Sequence, residues 1–203
     1  FTLFMRFEIP STLSSKRTKV RLSWLWFPLV ALGALAWVAG PLIQGDKLDN
    51  TDTQAIMKAN FLFHFSASNE WPAETKTGPF RMAVVGNERL FQELIDKYAL
   101  KSIGVQPLEI VSFDTDNDMQ EEDFFHLIYS ESAGAELEEL ALQWKGQPVL
   151  LVTDTESALE RGSLINFVAV DRRLRYEINA KEASKKGVLI GSRILSWAVN
   201  SGK

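Results

Sequence analysis

An acidic run at residues 114–118, DTDND, carries carboxylates at alternate positions, the spacing with which a calcium-binding loop begins. Such a loop also needs glycine at its sixth position for a sharp turn and a bidentate glutamate at its twelfth. Here those positions hold Met119 and Phe125. The run is therefore interpreted as a solvated acidic loop, and no metal site is expected there.

The histidines, His64 and His126, are too isolated in the sequence to indicate zinc binding, because neither has a second histidine three or four residues away. The chain also lacks a glycine-rich phosphate-binding motif and a G-x-S-x-G nucleophile motif. His126 lies in an apolar stretch, which predicts a hydrogen-bonded core residue. We therefore predict a protein that is not an enzyme, with no catalytic residues and no cofactor.

The charged side chains most suggestive of a binding site lie near the C terminus. In the alternating segment 173–178, RLRYEI, the residues Arg173, Arg175 and Glu177 share one face of a strand. One interpretation is structural: Glu177 pairs with a neighbouring arginine, and Asn179 caps a helix that begins at Ala180. The other is functional, with Arg175 and Arg193 presenting guanidinium groups to an anion or to a carboxylate of a partner.

Aromatic residues are dense in the first predicted helix, where Phe61 and Phe63 are two positions apart and therefore about 200° apart around the helix axis. Phe65 and Trp71 follow closely. Such a helix either is buried or presents one side to a partner. Both interpretations remain open, so Phe61, Phe65 and Trp71 are candidates for partner or ligand contacts.

The distribution of charge excludes nucleic acid as a partner. The chain has a net charge of −4, and residues 1–21 carry +4, which leaves −8 for the remainder. Binding to phosphate backbones depends on clustered lysine and arginine, and this acidic remainder lacks such a cluster.

An uncharged apolar segment at residues 22–43 predicts export through the inner membrane. A helix of this length matches a hydrocarbon core of about 30 Å, and the basic residues 1–21 are expected to stay in the cytoplasm. The segment is either an uncleaved anchor or a signal peptide cut after Ala34-Leu35-Ala36. A polar linker at 44–52 then leads to a periplasmic domain at 53–203. The chain has no cysteine, so thiol chemistry is excluded.

Within that domain, buried strands and helices are predicted to alternate. Apolar runs at 80–85, 108–113, 125–129 and 148–153 predict strands, with helices at 53–67, 88–98 and 133–144. Alternation of this kind is typical of a parallel sheet that is covered on both faces. Strands at 163–169 and 172–178, joined at Asp171-Arg172, predict an antiparallel hairpin. The predicted fold is a single three-layer α/β domain with a mixed, mostly parallel sheet and a C-terminal hairpin.

Six strings in order resemble the YfiR family of exported bacterial regulators. They are KANFLFHFSASNEWP (58–72), FRMAVVG (80–86), PVLLVTD (148–154), SLINFV (163–168), LRYEIN (174–179) and GVLIGSRILSWA (187–198). The resemblance covers residues 54–199 and implies a periplasmic, non-enzymatic α/β domain. It also implies that Arg175, Glu177 and Asn179 belong to a hairpin typical of the family.

The resemblance further implies partners and a mechanism. The best-known family member inhibits a membrane diguanylate cyclase by binding its periplasmic sensor domain, and an outer-membrane lipoprotein sequesters that member. Another sensor protein is an alternative partner, and a homodimer is also allowed. Redox control through disulfides is in doubt, because this chain has no cysteine.

A different class of function is the main alternative. In it, the domain is a periplasmic sensor that binds a small solute in a pocket lined by aromatic and arginine residues and reports to a histidine kinase or a transporter. A protein-binding regulator is expected to expose an apolar patch. A solute sensor is expected to enclose a pocket of about 300 Å³ or more.

Overall fold

The computed structural model describes residues 50–120 and 123–200. The predicted export or anchor segment at 22–43 lies outside these residues, as do residues 44–49 of the predicted linker. Among the described helices, none is both long enough and apolar enough to cross a membrane.

The described residues build a seven-stranded mixed sheet, which confirms the predicted sheet type. Its strands are β1 (Phe80–Val85), β2 (Ser102–Ile103), β3 (Gln106–Phe113), β4 (Leu127–Ser130), β5 (Leu150–Thr153), β6 (Ile165–Val170) and β7 (Arg173–Ile178). They lie in the order β2-β3-β1-β4-β5-β6-β7. The five central strands are parallel, whereas β2 and β7 pair antiparallel at the two edges.

Helices cover both faces of this sheet, as predicted. They are α1 (Asn50–Ser68), α2 (Glu88–Tyr98), α3 (Gly134–Gln143), α4 (Ala180–Lys185) and α5 (Ser192–Trp197). Because successive side chains of a strand point to opposite faces, Met82 and Val84 pack in a cluster with α1, α2, α4 and α5. Ala83 and Val85 pack in a second cluster with α3. The sheet is therefore the middle layer between two hydrophobic cores.

Most predicted elements are confirmed, with differences at their ends. The strand β2 was not predicted, because two residues show no periodicity. Helix α1 begins at Asn50 rather than at residue 53, and Asp52 lies in its first turn. The carboxylate of Asp52 accepts a hydrogen bond from Arg89 on α2 at 2.6 Å. The N-terminal end of α1 is therefore tied to the neighbouring helix.

The predicted hairpin is confirmed, with a two-residue turn at Asp171 and Arg172. Both residues have positive φ, at 50° and 59°. This is the backbone of a type I′ turn, which normally contains Asn-Gly or Asp-Gly. A residue with a Cβ is strained in this region, so Arg172 occupies a position that glycine would adopt more readily.

The buried His126 is a hydrogen-bonded core residue, as predicted. Its Nδ1 accepts a hydrogen bond from the backbone N–H of Arg81 at 3.1 Å, and its Nε2 lies 2.8 Å from the carbonyl oxygen of Thr75. With Nδ1 accepting, Nε2 carries the single proton and donates it to Thr75. Burial lowers the pKa of His126 despite these two backbone hydrogen bonds. The imidazole is therefore neutral in the folded protein.

Because His126 is buried and neutral, we expect the free energy of unfolding to fall in mild acid. Because its pKa is lower in the folded than in the unfolded chain, the unfolded chain binds more protons at acidic pH. The stabilisation is complete above the ordinary pKa of 6.5 and decreases as the pH falls through the folded value. Urea unfolding at pH 7 and at pH 5 measures this loss of unfolding free energy. The loss should be smaller in the His126→Gln variant than in wild type. The exposed His64 provides the control, since His64→Gln should leave the decrease unchanged. If the free energy of unfolding fell equally between pH 7 and pH 5 in wild type and in His126→Gln, this role of His126 would be contradicted.

Candidate docking site

The outer side of the edge strand β7 is covered by the last described residues. The backbone N–H of Val199 donates to the carbonyl oxygen of Tyr176 at 2.9 Å. The side chain of Asn200 accepts from the N–H of Ile178 at 2.9 Å and donates to the carbonyl oxygen of Ile178 at 3.1 Å. These contacts satisfy backbone groups that an edge strand otherwise leaves open. They also hold the segment after α5 against the hairpin.

Helix α5 is held in place by two further elements. The hydroxyl of Tyr176 on β7 donates to the carbonyl oxygen of Ile194 at 2.9 Å. Burial raises the pKa of Tyr176, with Arg175 acting weakly in the opposite direction, so this phenol stays protonated and available as a donor. At the start of the helix, the N–H of Gly191 donates to the side chain of Asn69 at 2.9 Å. The short helix is thus fixed to both β7 and the segment after α1.

An exposed tryptophan is the centre of the candidate site. Trp197 is 56% exposed, and its backbone oxygen accepts a hydrogen bond from Arg175 at 3.4 Å. The guanidinium of Arg193 lies over the indole ring, 5.9 Å from its centroid. The neighbouring Val199 is also exposed. We call Arg175, Arg193, Trp197 and Val199 the Trp197 surface. It combines an exposed indole with two cations, Arg175 and Arg193. The sequence predicted that these two arginines lie near each other in the fold.

A small crevice lies behind this surface. Its volume is about 70 Å³, well below the roughly 300 Å³ typical of a pocket for a small molecule. It is lined by Phe61, His64, Ser68, Tyr176, Arg193, Ile194 and Trp197. The arrangement is therefore better suited to a side chain of a protein partner than to a whole solute.

The aromatic candidates are not part of the Trp197 surface. Phe65 is fully buried, and Trp71 is 6% exposed and donates its Nε1–H to the carbonyl oxygen of His126 at 3.2 Å. Phe61 is half-buried and packs edge-on against Tyr176 with ring centroids 5.3 Å apart. Phe61 lines the crevice, Phe65 packs against Tyr176 in the core behind it, and Trp71 packs elsewhere, against Phe80 and His126.

The remaining candidates make intramolecular contacts. Glu177 accepts a hydrogen bond from the side chain of Asn166 at 2.9 Å, across the β6–β7 pair. The expected pairing of Glu177 with an arginine is wrong, because the residue opposite it in the register is Asn166. Asn179 caps α4 by accepting from the backbone N–H of Glu182 at 3.2 Å, as predicted. Neither side chain contacts Trp197 in this arrangement.

Two important features were missed by sequence reasoning. Trp197 was not singled out, although Arg193 four residues earlier signals a shared helix face. Lys58 was unremarked, although it is a cation in an otherwise apolar stretch of α1. It is 5% exposed, forms an ion pair with Asp154 and donates to the hydroxyl of Tyr129 at 2.8 Å.

The predicted acidic loop lies at the carboxyl end of the sheet. It contributes Asp114 and Asp116 to an open cleft of about 330 Å³ beside the ends of β1 and β4. Asp116 accepts hydrogen bonds from Ser130 and Ser132. Within residues 50–120 and 123–200, no group of three or more histidine, cysteine or acidic side chains is arranged to hold a metal ion.

The three-layer fold and the Trp197 surface define a small α/β domain with an exposed aromatic and cationic surface. The model of the YfiR/HmsC-like family matches residues 55–199. The chain therefore belongs to that family, which confirms the resemblance seen in its strings. This is a family of periplasmic, non-enzymatic signalling regulators. No curated protein matches the chain.

Proposed function

We propose that this protein binds the periplasmic sensor domain of a membrane diguanylate cyclase and thereby represses synthesis of cyclic-di-GMP. Membership of the YfiR/HmsC-like family supports the regulatory class. The observation that carries the proposal is the Trp197 surface, where an indole that is 56% exposed lies beside two arginines.

The composition of this surface fits a contact with another protein. Tryptophan and arginine are the residues most enriched among those that dominate binding energy at interfaces. Arg175 and Arg193 are exposed and have no ion-pair partner among the described residues. Their guanidinium groups are therefore free to bind carboxylates of a partner, while the indole fills an apolar pocket.

Repression of this kind needs no chemistry within the regulator. A sensor domain that exchanges between an active and an inactive state shifts toward whichever state the regulator binds more tightly. The regulator must only distinguish the two states, and dissociation on a signal restores the cyclase.

The direct test compares cyclic-di-GMP in native cells with and without the gene, together with capture of partners by the full chain. We expect the level to rise on deletion and a membrane cyclase to be recovered. Capture also shows whether an outer-membrane lipoprotein or a second copy of the chain binds. An unchanged level with no cyclase recovered would refute the repressor function.

Substitutions on the Trp197 surface should weaken the complex without unfolding the domain. We expect Trp197→Ala to reduce affinity for the captured partner by about thirtyfold or more, as is typical when a central aromatic residue is removed. Arg175→Ala should have a smaller effect in the same direction. Titration of partner against purified variants measures both, and thermal unfolding checks the fold.

The matched control is Leu142→Ala, which truncates another exposed apolar residue on α3, across the sheet. It should leave affinity unchanged. Equal affinities for Trp197→Ala and wild type would place the interface elsewhere. Unfolding of the Arg175→Ala variant would instead show that this arginine is structural.

A further inference from the structure

The outer edge of β3 is unpaired over most of its length. Along a strand, the backbone groups of successive residues point alternately to its two sides. The carbonyl oxygen of Phe113 accepts from the N–H of Gly86, which directly follows β1, so Phe113 faces β1. The N–H of Leu108 donates to the carbonyl oxygen of Lys101, which directly precedes β2, so Leu108 faces outward. The residues at intervals of two from Leu108 therefore also face outward.

Two of these residues, Ile110 and Ser112, have open backbone groups. β2 pairs only with Gln106 and Pro107 at the start of β3. Apart from β1, β2 and the residues that adjoin them, no part of the described chain forms backbone hydrogen bonds with β3. The N–H and C=O groups of Ile110 and Ser112 are therefore free to pair with an added strand.

The opposite edge of the sheet is largely closed. There the segment after α5 bonds to Tyr176 and Ile178 on the outer side of β7. A chain with one open edge can pair with the same edge of a second copy, and such a two-fold contact closes on itself instead of extending into a fibre. A second copy of this chain is therefore the occupant that the sheet favours.

Antiparallel pairing of β3 with itself is self-complementary about Val111. In this register Ile110 of each copy lies opposite Ser112 of the other, so the open groups of both residues become paired. Val111 lies opposite Val111 of the second copy, and Glu109 lies opposite Phe113, so that no like charges face each other along the strand. Because β3 ends at Phe113, the added strand ends before it reaches β2.

The charges at the two ends of the paired strands are complementary. In the same register, Asp114 of the second copy falls beside Leu108, whose N–H bonds to Lys101. Lys101 and Asp114 are both exposed, and neither side chain makes a hydrogen bond or an ion pair within residues 50–120 and 123–200. The two-fold axis repeats this pairing of opposite charges at the other end of the contact.

We infer that β3 is a dimer interface, at which two copies join their seven-stranded sheets by antiparallel pairing about Val111. The Trp197 surface adjoins β7, at the edge of the sheet remote from β3. A dimer of this kind therefore carries one Trp197 surface at each end and can bind two partner domains. The inference does not depend on the identity of those domains, because it concerns different residues.

The chain has no cysteine, so one introduced cysteine reports on a single position. Val111 and its symmetry mate form a non-hydrogen-bonded pair with Cα atoms about 4.5 Å apart, within the range of a disulfide. We expect the full chain with Val111→Cys to form disulfide-linked dimers, with copper–phenanthroline as oxidant, at least about tenfold faster than the chain with Leu142→Cys. Leu142 is the control because it is more exposed than the half-buried Val111.

Sedimentation of the full chain in detergent measures the dimer itself. A contact between strand edges is small, so we expect a dissociation constant of roughly 10 μM. Ser112 faces away from β1, so Ser112→Pro removes an outward N–H and leaves the bonds to β1 in place. This variant should dimerise at least about tenfold more weakly. Thermal unfolding checks that the domain stays folded.

A charge exchange tests the register without altering the strand. Asp114→Lys places two cations together at each end of the contact and should weaken the dimer by about tenfold. The double variant Lys101→Asp/Asp114→Lys restores opposite charges and should return the affinity to within about threefold of wild type. All variants carry the same residues 22–43, so differences among them report on the contact at β3.

Three results would overturn the inference. They are cross-linking of Val111→Cys no faster than that of Leu142→Cys, a wild-type chain that stays monomeric at about 100 μM, and a dimer that Asp114→Lys leaves unchanged. Should Ser112→Pro unfold the domain, the charge exchange still decides. None of these results bears on the Trp197 surface, whose test is capture of a partner.

Discussion

Replacing Lys58 by methionine is expected to lower the free energy of unfolding by about 3 kcal/mol. The lysine side chain is almost fully buried, and its partners are Tyr129 on β4 and Asp154, which directly follows β5. Removing the cation leaves the carboxylate of Asp154 partly buried without its partner, which is the costly way to disrupt an ion pair. Because the side chain of Asp154 is 22% exposed, water reduces the loss, and we expect the lower end of the usual range.

Urea unfolding of the purified chain measures this loss, and a double variant tests its cause. In Lys58→Met/Asp154→Leu the unpaired carboxylate is gone, so the double variant should be more stable than Lys58→Met alone. Lys97→Met removes an exposed lysine of α2 and should change stability by less than about 0.5 kcal/mol. A loss below about 1 kcal/mol in Lys58→Met would show that the ion pair does not anchor α1 to the sheet.

Gly191→Ala is expected to lower the free energy of unfolding by about 2 kcal/mol, as an overpacked side chain typically does. A Cβ at this position would lie 2.1 Å from the backbone oxygen of Ser68 at the end of α1. No rotamer change can relieve this contact, because the obstructing atom belongs to the backbone. The start of α5 must move instead, and the hydrogen bond from Gly191 to Asn69 is lost with it.

The same substitution should weaken partner binding, because α5 carries Arg193 and Trp197. Thermal unfolding and titration of the captured partner measure the two effects separately. Ser192→Ala, one residue later and exposed, is the matched control and should change neither quantity appreciably. Wild-type stability in Gly191→Ala would mean that α5 does not approach Ser68 so closely.

The fold was largely predictable because its signals are local. Continuous apolar runs mark the central parallel strands, and the alternation at 173–178 marks an edge strand with one wet face. The two-residue strand β2 and the N-terminal turn of α1 were not predictable in this way. The first is too short for periodicity, and the second is defined by the Asp52–Arg89 contact between two helices.

The candidate docking site was predicted only in part. Arg175 and Arg193 were named from the sequence, and each contacts Trp197 in the structure. Phe65 and Trp71 were grouped with them because their residue type suits both a core and an interface. Only packing against the sheet shows that these two are buried.

The amino-acid sequence by itself determined the family, the layered α/β architecture and the lack of thiol chemistry, since these depend on residue types and on periods of two and 3.6. The tertiary structure decided which side chains meet. Lys58 reaches Asp154 across 96 positions, and Arg175 reaches Trp197 across 22. The reason is physical: periodicity shows which face of an element is apolar, whereas exposure and pairing depend on the elements that cover that face.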